Sequence, residues 1–420
     1  MNRISSLIVL LSIIIICAGI VKADDSGDFS FRAGFGYDLI SQEYFLDSLV
    51  TDSLQAILLT KDYFNDKKGL LYITYNHDKK GDRVAEIGWE QTPELYRLLG
   101  RSHFDFKGKT DRFDSDINFE FKNRYRGDIV EGEEYLLGNA RLRYRHKISN
   151  YWESSALFKV ERAVFDSIGH FAYNYTKFSG GLGLNLLTDD FNNYYILFAV
   201  EKRLVSDSSD IDYWAFKTNS GYWGSLGNGQ LSADLALEIR KYNQKDEVND
   251  YTFALFDTKY RRNIGENSFI NPEIELEFYD FASENSYNQD YFLGRTRFVL
   301  GHYINDFTVS LGPEIEILSS KNIPELDDSY TEIGLFTGVD FLLENRLTLF
   351  IDNEVGLRGF KNESDVFSNY TFERIDLIGN FKILQNLGLD LIFSGEWEWH
   401  ENSDNNNRLF LVSSSLFYSF

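Results

Sequence analysis

Cysteine is nearly absent from this chain of 420 residues. The single cysteine, Cys17, lies inside an apolar amino-terminal segment. If that segment is removed, the remaining chain has no cysteine and cannot form a disulfide. A lipid anchor on Cys17 is disfavoured, because Ile14, Ile15 and Ile16 precede it where a small residue is expected just before the cysteine.

Long apolar runs are also scarce. The longest extends from Leu7 to Val21, is preceded by Arg3 and is followed by the small residue Ala23. It has about 15 residues, whereas a helix that crosses a bilayer needs roughly 20. No later run reaches this length, which excludes a helical membrane protein. The pattern is that of an export signal cleaved after Ala23, so we predict a signal peptide over 1–23 and one mature domain over 24–420.

Basic residues and prolines are few. The chain has 42 Lys and Arg against 65 Asp and Glu, a net charge of -23, and cleavage would remove Arg3 and Lys22 but no acid, leaving -25. A chain so acidic is not expected to bind nucleic acid. Four prolines suit many long hydrogen-bonded strands. The aromatic content of 16% excludes a disordered acidic chain and fits rings that form girdles at two membrane interfaces.

Alternation with a period of two is the dominant pattern that is present. Between residues 112 and 126 one face is apolar or small, and the other consists of Arg112, Asp114, Asp116, Asn118, Glu120, Lys122, Arg124 and Arg126. The segments 231–241 and 389–399 alternate in the same way. Each Arg or Lys that faced lipid at mid-bilayer would cost roughly 2–4 kcal/mol. The apolar faces are therefore predicted to contact hydrocarbon and the charged faces to line a lumen.

Short and long breaks alternate between these strands. The long breaks are polar and acidic and fall at 127–133, 166–170, 205–210, 243–249, 282–289, 319–329, 361–369 and 401–407. The short turns recur about every 40 residues, and extending this rhythm backward places one at Asp66-Lys67. Ten hairpins, or about 20 strands, follow from this spacing. A helical spacing of apolar residues across 46–61 leaves a second possibility, an amphipathic helix there and about 18 strands.

The last strand alternates as well. Its apolar face consists of Phe410, Val412, Leu416, Tyr418 and Phe420, and its other face includes Ser413, Ser415 and Ser419. Together with the export signal and the asymmetry of turns and loops, this strand resembles the end of bacterial outer-membrane β-barrels of the porin-like kind.

The resemblance implies a single closed antiparallel transmembrane β-barrel over roughly 28–420, in an outer membrane of the Gram-negative type, with the short turns periplasmic. The pattern takes up nearly all of the mature chain, so we expect no separate plug or periplasmic domain. In that superfamily a terminal aromatic strand is recognised by the barrel assembly machinery, which would assign the assembly signal to Leu416, Tyr418 and Phe420.

Two kinds of charged ladder mark the candidate lumen. The basic one consists of Lys122, Arg124, Arg126, Arg141, Arg143 and Arg145, and the acidic ones of Glu273, Glu275, Glu277, Glu314, Glu316, Glu396 and Glu398. Opposed stripes of charge would produce a transverse field that selects solutes. The alternative is that neighbouring strands pair these charges for stability, as barrel interiors are polar whatever the pore does.

The long loops indicate partners rather than chemistry. They hold 16 acids and 3 Lys or Arg, and such loops either stay solvated or bind divalent cations at a lipopolysaccharide surface. The six histidines are scattered, and only His400, near Glu396 and Glu398, hints at acid–base chemistry. We therefore predict no catalytic site, no cofactor and no metal centre.

Two functions remain open. The first is an outer-membrane channel through which small solutes pass, passively or with facilitation, because 16 or more strands enclose more width than side chains alone fill. The second is a non-conducting barrel that anchors another envelope component, with long charged side chains filling the lumen. A secreted β-sandwich or propeller would need a second layer over the apolar faces. The pattern carries no information on the oligomeric state.

Overall fold

A computed structural model describes most of the chain. It covers residues 28–419 except 48–56, 77–82, 125–133, 166–172, 207–208, 244–249, 283–289, 321–327, 344–345, 364–367 and 402–405. The predicted cleavage site after Ala23, Arg126 of the basic ladder and the terminal Phe420 lie outside the described residues. Among those that are described, no helix has the length and apolar character needed to cross a membrane.

The described chain consists of 20 strands and one 3₁₀ turn, Ser209–Ile211. The strands are β1 Asp28–Asp47, β2 Ile57–Asn76, β3 Arg83–Gln91, β4 Leu95–Lys107, β5 Asp111–Arg124, β6 Tyr135–Lys147, β7 Trp152–Phe165, β8 Tyr175–Leu187, β9 Asn193–Val205, β10 Tyr213–Leu226, β11 Gly229–Tyr242, β12 Tyr251–Ile264, β13 Ser268–Phe281, β14 Tyr291–Ile304, β15 Phe307–Ser320, β16 Tyr330–Leu343, β17 Leu347–Phe360, β18 Tyr370–Leu384, β19 Leu387–His400 and β20 Asn407–Ser419.

The strands form one closed antiparallel sheet. Each pairs with the strand before it, and β1 also pairs with β20, from Arg32 opposite Ser419 to Glu43 opposite Arg408. Because the sheet closes, most strands have a hydrogen-bonded neighbour on both sides. This is how β-barrels satisfy their backbone N–H and C=O groups without water. The predicted fold class, a single antiparallel β-barrel of about 20 strands, is confirmed.

The first hairpin differs from the prediction in one respect. Asp66-Lys67 is not a turn but lies inside β2, where Asp66 pairs with Asp38 and Lys67 with Tyr37 of β1. The polar run around these residues has the composition of a turn, but pairing with a 20-residue β1 overrides it. The chain instead passes from β2 to β3 between Asn76 and Arg83.

The alternative of a helix over 46–61 is wrong where it can be compared. Its two ends belong to strands, because β1 continues to Asp47 and β2 begins at Ile57. Residues 48–56 lie outside the described part. The count of about 20 strands is the correct one of the two.

The polar face of the sheet is its concave face. Several contacts on this face join strands that are two apart, among them Arg374 to Glu332, Arg261 to Tyr303 and Tyr195 to Asp234. Side chains of strands i and i+2 converge only on the inside of a curved sheet. The polar rows therefore line the lumen, and the apolar rows face outward.

The outward rows are apolar and exposed in the isolated chain. Phe35, Leu182, Phe216 and Leu357 are 54–78% exposed, and none is covered by a second layer of described structure. Exposed apolar surface of this extent is expected to contact hydrocarbon. The period-two alternation thus corresponds to the two faces of one barrel wall.

Candidate functional site: the charged inner wall

The basic sector of the wall consists of β4, β5 and β6. Their inward positions carry ten Lys or Arg and four acids, a net charge of +6 with histidine neutral. The basic residues are Arg97, Arg101, Lys107, Arg112, Lys122, Arg124, Arg141, Arg143, Arg145 and Lys147, and the acids are Asp105, Asp114, Asp116 and Glu120.

Three of the six residues of the predicted basic ladder form ion pairs. Arg141 donates to Asp116 at 2.9 Å, Arg145 to Asp114 at 2.9 Å and Arg124 to Glu94 at 2.6 Å. Arg143 lies on the same inward row of β6 and forms no ion pair with any described residue. Lys122 lies inward on β5 opposite Arg97.

The acidic sector comprises the seven strands β13–β19. Their inward positions carry 13 acids and five Lys or Arg, a net charge of -8. The acids are Glu273, Glu275, Glu277, Glu314, Glu316, Glu332, Asp340, Asp352, Glu354, Asp376, Asp390, Glu396 and Glu398. The middle strand of this sector, β16, is 11 strands from β5 in a ring of 20, so the two sectors face each other across the lumen.

An Arg–Glu belt runs along the acidic sector. It consists of Arg295, Arg297, Arg358 and Arg374 with the glutamates Glu275, Glu314, Glu316, Glu332, Glu354 and Glu396. Four of these glutamates, and none of the arginines, were predicted from the sequence to line the lumen. The arginines could have been predicted to face the lumen as well, because each occupies a polar position in a strand whose apolar and polar residues alternate.

Arg374 of β18 is the most connected member of the belt. It lies 2.8 Å from Glu332, 3.6 Å from Glu354 and 2.9 Å from Glu396. The Glu332 side chain is only 3% exposed, so the charge of this carboxylate is stabilised by Arg374 and Arg358 rather than by water.

Aromatic rings support the guanidinium groups of the belt. Arg297 lies over Phe336 at 4.3 Å and Arg374 over Phe372 at 4.1 Å from the ring centroid. Planar stacking of this kind restricts the arginine side chains and favours a fixed orientation. The belt is therefore a packed layer against the wall.

The remaining predicted glutamates are paired as well. Glu273 lies 3.7 Å from Lys259, Glu277 accepts a hydrogen bond from Tyr291, and Glu398 accepts one from Asn407 at 2.7 Å. The alternative recognised from the sequence, that neighbouring strands pair their charges, describes most of both ladders.

Five acids of the sector form no ion pair with a described residue. Two of them, Glu277 and Asp390, accept side-chain hydrogen bonds, whereas Asp340, Asp352 and Asp376 accept none from a described residue. β6 ends and β17 begins at a short turn. Arg143 is the fourth residue before the end of β6 and Asp352 the fifth after the start of β17, so both lie in the half of the barrel nearer the short turns. β6 and β17 are 11 strands apart. Free charges of opposite sign thus face each other near the short-turn end of the lumen.

A hollow of about 270 Å³ opens in the basic sector between the polar rows of β3–β6. Its lining includes Glu86, Leu99, Arg101, Asn118 and Asn139. Asn118 donates to Asn139 at 3.1 Å, which leaves the Asn118 Oδ1 acceptor and the Asn139 amide N–H donors for other groups. The hollow therefore combines an apolar surface with hydrogen-bond donors and acceptors.

No catalytic relay forms around His400. Its Nδ1 lies 2.6 Å from the Ser368 hydroxyl, but its Nε2 is 3.7 Å from Glu398, beyond hydrogen-bond distance. The ring is only 8% exposed and packs at 4.8 Å against Tyr370. Among the described residues there is also no group of three or more His, Cys, Asp or Glu that could hold a metal ion.

Leu416 and Tyr418, the two described residues of the predicted assembly signal, lie on the outer face. Leu416 pairs with Phe35 of β1 and Leu389 of β19, and Tyr418 pairs with Ala33. Both positions are at the seam where the barrel closes.

Comparisons with known proteins show the fold. No protein-family model matches the chain, and neither does any curated protein. Among solved structures, the siderophore receptor PirA from Pseudomonas aeruginosa aligns with a TM-score of 0.56 and 9% identity, over 95% of this chain and 81% of that one. PirA from Acinetobacter baumannii aligns at 0.54 and 7%, with the same coverage. A structure described as the copper transporter OprC aligns at 0.52 and 8%, also over 95% and 81%. At these identities the chain shares the fold of outer-membrane β-barrel receptors and transporters.

Proposed function

We propose that this protein is an outer-membrane channel for small solutes. The observation that carries the proposal is the direction of the inner ion pairs. Those described above join strands that are adjacent or two apart, so they run along the wall rather than across the lumen. A ring of 20 strands whose side chains lie against the wall encloses more width than they fill.

The two charged sectors would set the selectivity of this channel. Paired charges cancel at short range, whereas Arg143 on one side and Asp340 and Asp352 on the other act on a passing ion without a close partner. A free unit charge about 10 Å away through water changes the energy of an ion by about 0.4 kcal/mol, or about twofold in its relative permeability. The hollow beside Arg101 would offer hydrogen bonds to small polar solutes.

The location follows from the same proposal. The chain would be exported by a signal peptide cleaved after Ala23, assembled by the barrel assembly machinery through its last strand, and surrounded by lipid and lipopolysaccharide. The alternation of short turns and long acidic loops supports periplasmic turns and external loops. No reaction chemistry is proposed, and the structural neighbours reported above are receptors and a transporter.

Planar-bilayer recording tests the channel directly. Refolded protein should insert with discrete conductance steps, whereas a correctly folded, heat-modifiable protein that leaves the bilayer silent would favour the non-conducting anchor.

The same recordings test the selectivity. Under a salt gradient, Arg143→Gln should shift the reversal potential toward cations and Asp352→Asn toward anions, each by about a twofold change in permeability ratio. Arg408→Gln removes a charge from the outer face of β20 and serves as the control. Identical reversal potentials in all variants would mean that these charges do not face the ion path.

A further inference from the structure

The outer face carries a cluster of basic side chains in one part of the half that lies nearer the long loops. Among the described residues of β3–β20, four Lys or Arg face outward there: Arg162, Lys202, Lys241 and Arg408. The first three lie on β7, β9 and β11, within five neighbouring strands, and Arg408 lies alone on β20. Acids occupy the corresponding rim elsewhere, with Asp280 on β13 and Glu373 on β18. The outer rim thus has a distinct basic sector.

Two of the cations flank a tryptophan. Lys202, Trp214 and Lys241 are direct cross-strand partners on β9, β10 and β11, and the Lys202 ammonium lies 4.8 Å from the Trp214 ring centroid. Trp214 is 45% exposed. The next outward-facing residue of β10, Phe216, is 54% exposed. Tryptophan beside exposed apolar rings is typical of the membrane–water interface. The cations therefore lie at the height of lipid headgroups.

The described acids do not neutralise this cluster fully. Lys241 lies 3.2 Å from Asp250, but neither Arg162 nor Lys202 forms an ion pair with a described residue. Long basic side chains at a membrane interface extend toward headgroups, where an anion can satisfy them. Arginine in particular matches the geometry of a phosphate.

We infer that Arg162 and Lys202, with Trp214 between β9 and β11, form a binding site for the phosphate groups of a lipopolysaccharide molecule in the outer leaflet. The acyl chains of that molecule would lie along the exposed apolar surface below, which includes Phe198 and Phe216. The charge complementarity, the height on the wall and the loop side of the barrel favour this occupant. The site is independent of conduction through the lumen.

A binding measurement with matched variants tests the site. The full mature chain in detergent would be titrated with purified lipopolysaccharide, and the retained lipid quantified by native mass spectrometry. Arg162→Gln combined with Lys202→Gln should weaken binding by about 30-fold, because each cation near a lipid surface is worth about fivefold. Arg408→Gln, which removes the isolated cation at the same rim, should bind as the unaltered chain does.

Charge-conserving variants separate binding from folding. Arg162→Lys with Lys202→Arg should retain most of the affinity, and all variants should keep heat-modifiable migration. Dephosphorylated lipopolysaccharide should bind the unaltered chain as weakly as the double variant binds the phosphorylated form. Equal binding by the unaltered chain and the double variant would overturn the inference, and so would equally tight retention of phosphatidylglycerol, which would make the cluster a general anionic-lipid surface.

Discussion

At the scale of residues, the inner wall depends on arginines shared between several carboxylates. Arg374 serves Glu332, Glu354 and Glu396 together, and its guanidinium is fixed by the Phe372 ring. Removing one partner of such a buried set leaves carboxylates whose desolvation is no longer offset. The effect of a substitution should therefore depend on burial and not on the number of nearby charges alone.

Arg374→Ala should lower the free energy of unfolding by about 3 kcal/mol, near the lower end for a broken buried pair because Glu332 keeps Arg358. Arg101→Ala is the matched control, because its side chain is 63% exposed and pairs with Glu86 alone, which predicts a loss of less than about 1 kcal/mol. Urea unfolding in lipid vesicles measures both. Equal losses would show that the belt is as well solvated as the basic sector.

The candidate site was only partly predictable from these residues. Alternation placed the glutamates Glu314 and Glu316 on an inward row, because parity is a local property of a strand. Their arginine partners Arg295 and Arg358 lie on β14 and β17, and which strands meet, and in which register, depends on pairing that the sequence does not encode locally. The free charge of Arg143 could be recognised only after the partners of the other arginines were known.

At the scale of elements, glycine and aromatic residues interlock on the outer face. Phe119 of β5 pairs with Gly100 of β4 on one side and Gly138 of β6 on the other. Its ring lies over Gly100, where an added Cβ would come within 1.9 Å of the ring, whereas a Cβ on Gly138 would meet nothing within 4 Å. Phe119 is only 4% exposed as a result, although its row faces outward.

Gly100→Ala should therefore destabilise the barrel by about 1–3 kcal/mol through overpacking against Phe119. Gly138→Ala, in the same row on the other side of the ring, should be neutral or stabilise the fold slightly, since it only restricts the unfolded chain. The temperature at which the folded gel band is lost compares the two variants. The reverse order would mean that the Phe119 ring leans toward β6.

The elements themselves were largely predictable, with one informative failure. The strong alternation of β5 and β11 specified these strands without any tertiary information. The placement of a turn at Asp66-Lys67 failed because polar composition alone marked it, whereas pairing along the whole of β1 keeps β2 extended through both residues. The helical spacing across 46–61 was overridden in the same way at both ends.

At the scale of the whole molecule, closure depends on the seam between β1 and β20. The two strands approach closely at Gly34, where an added Cβ would come within 2.1 Å of the Leu416 carbonyl oxygen. Without the pairing of β1 with β20, the sheet would present two open edges to the hydrocarbon, where unpaired backbone groups cost several kcal/mol each.

A disulfide across the seam should form readily. Tyr37 and Ser414 are cross-strand partners, and Cα atoms of such partners are about 4.5–5.5 Å apart, within the range that a disulfide spans. Tyr37→Cys with Ser414→Cys should give a circularised chain that migrates differently after boiling without reductant. Tyr37→Cys with Leu349→Cys on β17 is the control and should stay linear, because β1 and β17 are not neighbours in the barrel. A linear product from the first pair would argue against closure.

The first hairpin extends well past its neighbour on one side. All 20 residues of β2 pair with β1, but only Gly69–Asn76 pair with β3, so twelve residues of β2 have no described strand on their second side. Every other amide along that stretch should exchange with deuterated water far faster than the amides of β13 or β16, which have partners on both sides. In the proposed orientation with external loops, this edge offers unpaired backbone groups with which an extended peptide from outside can pair.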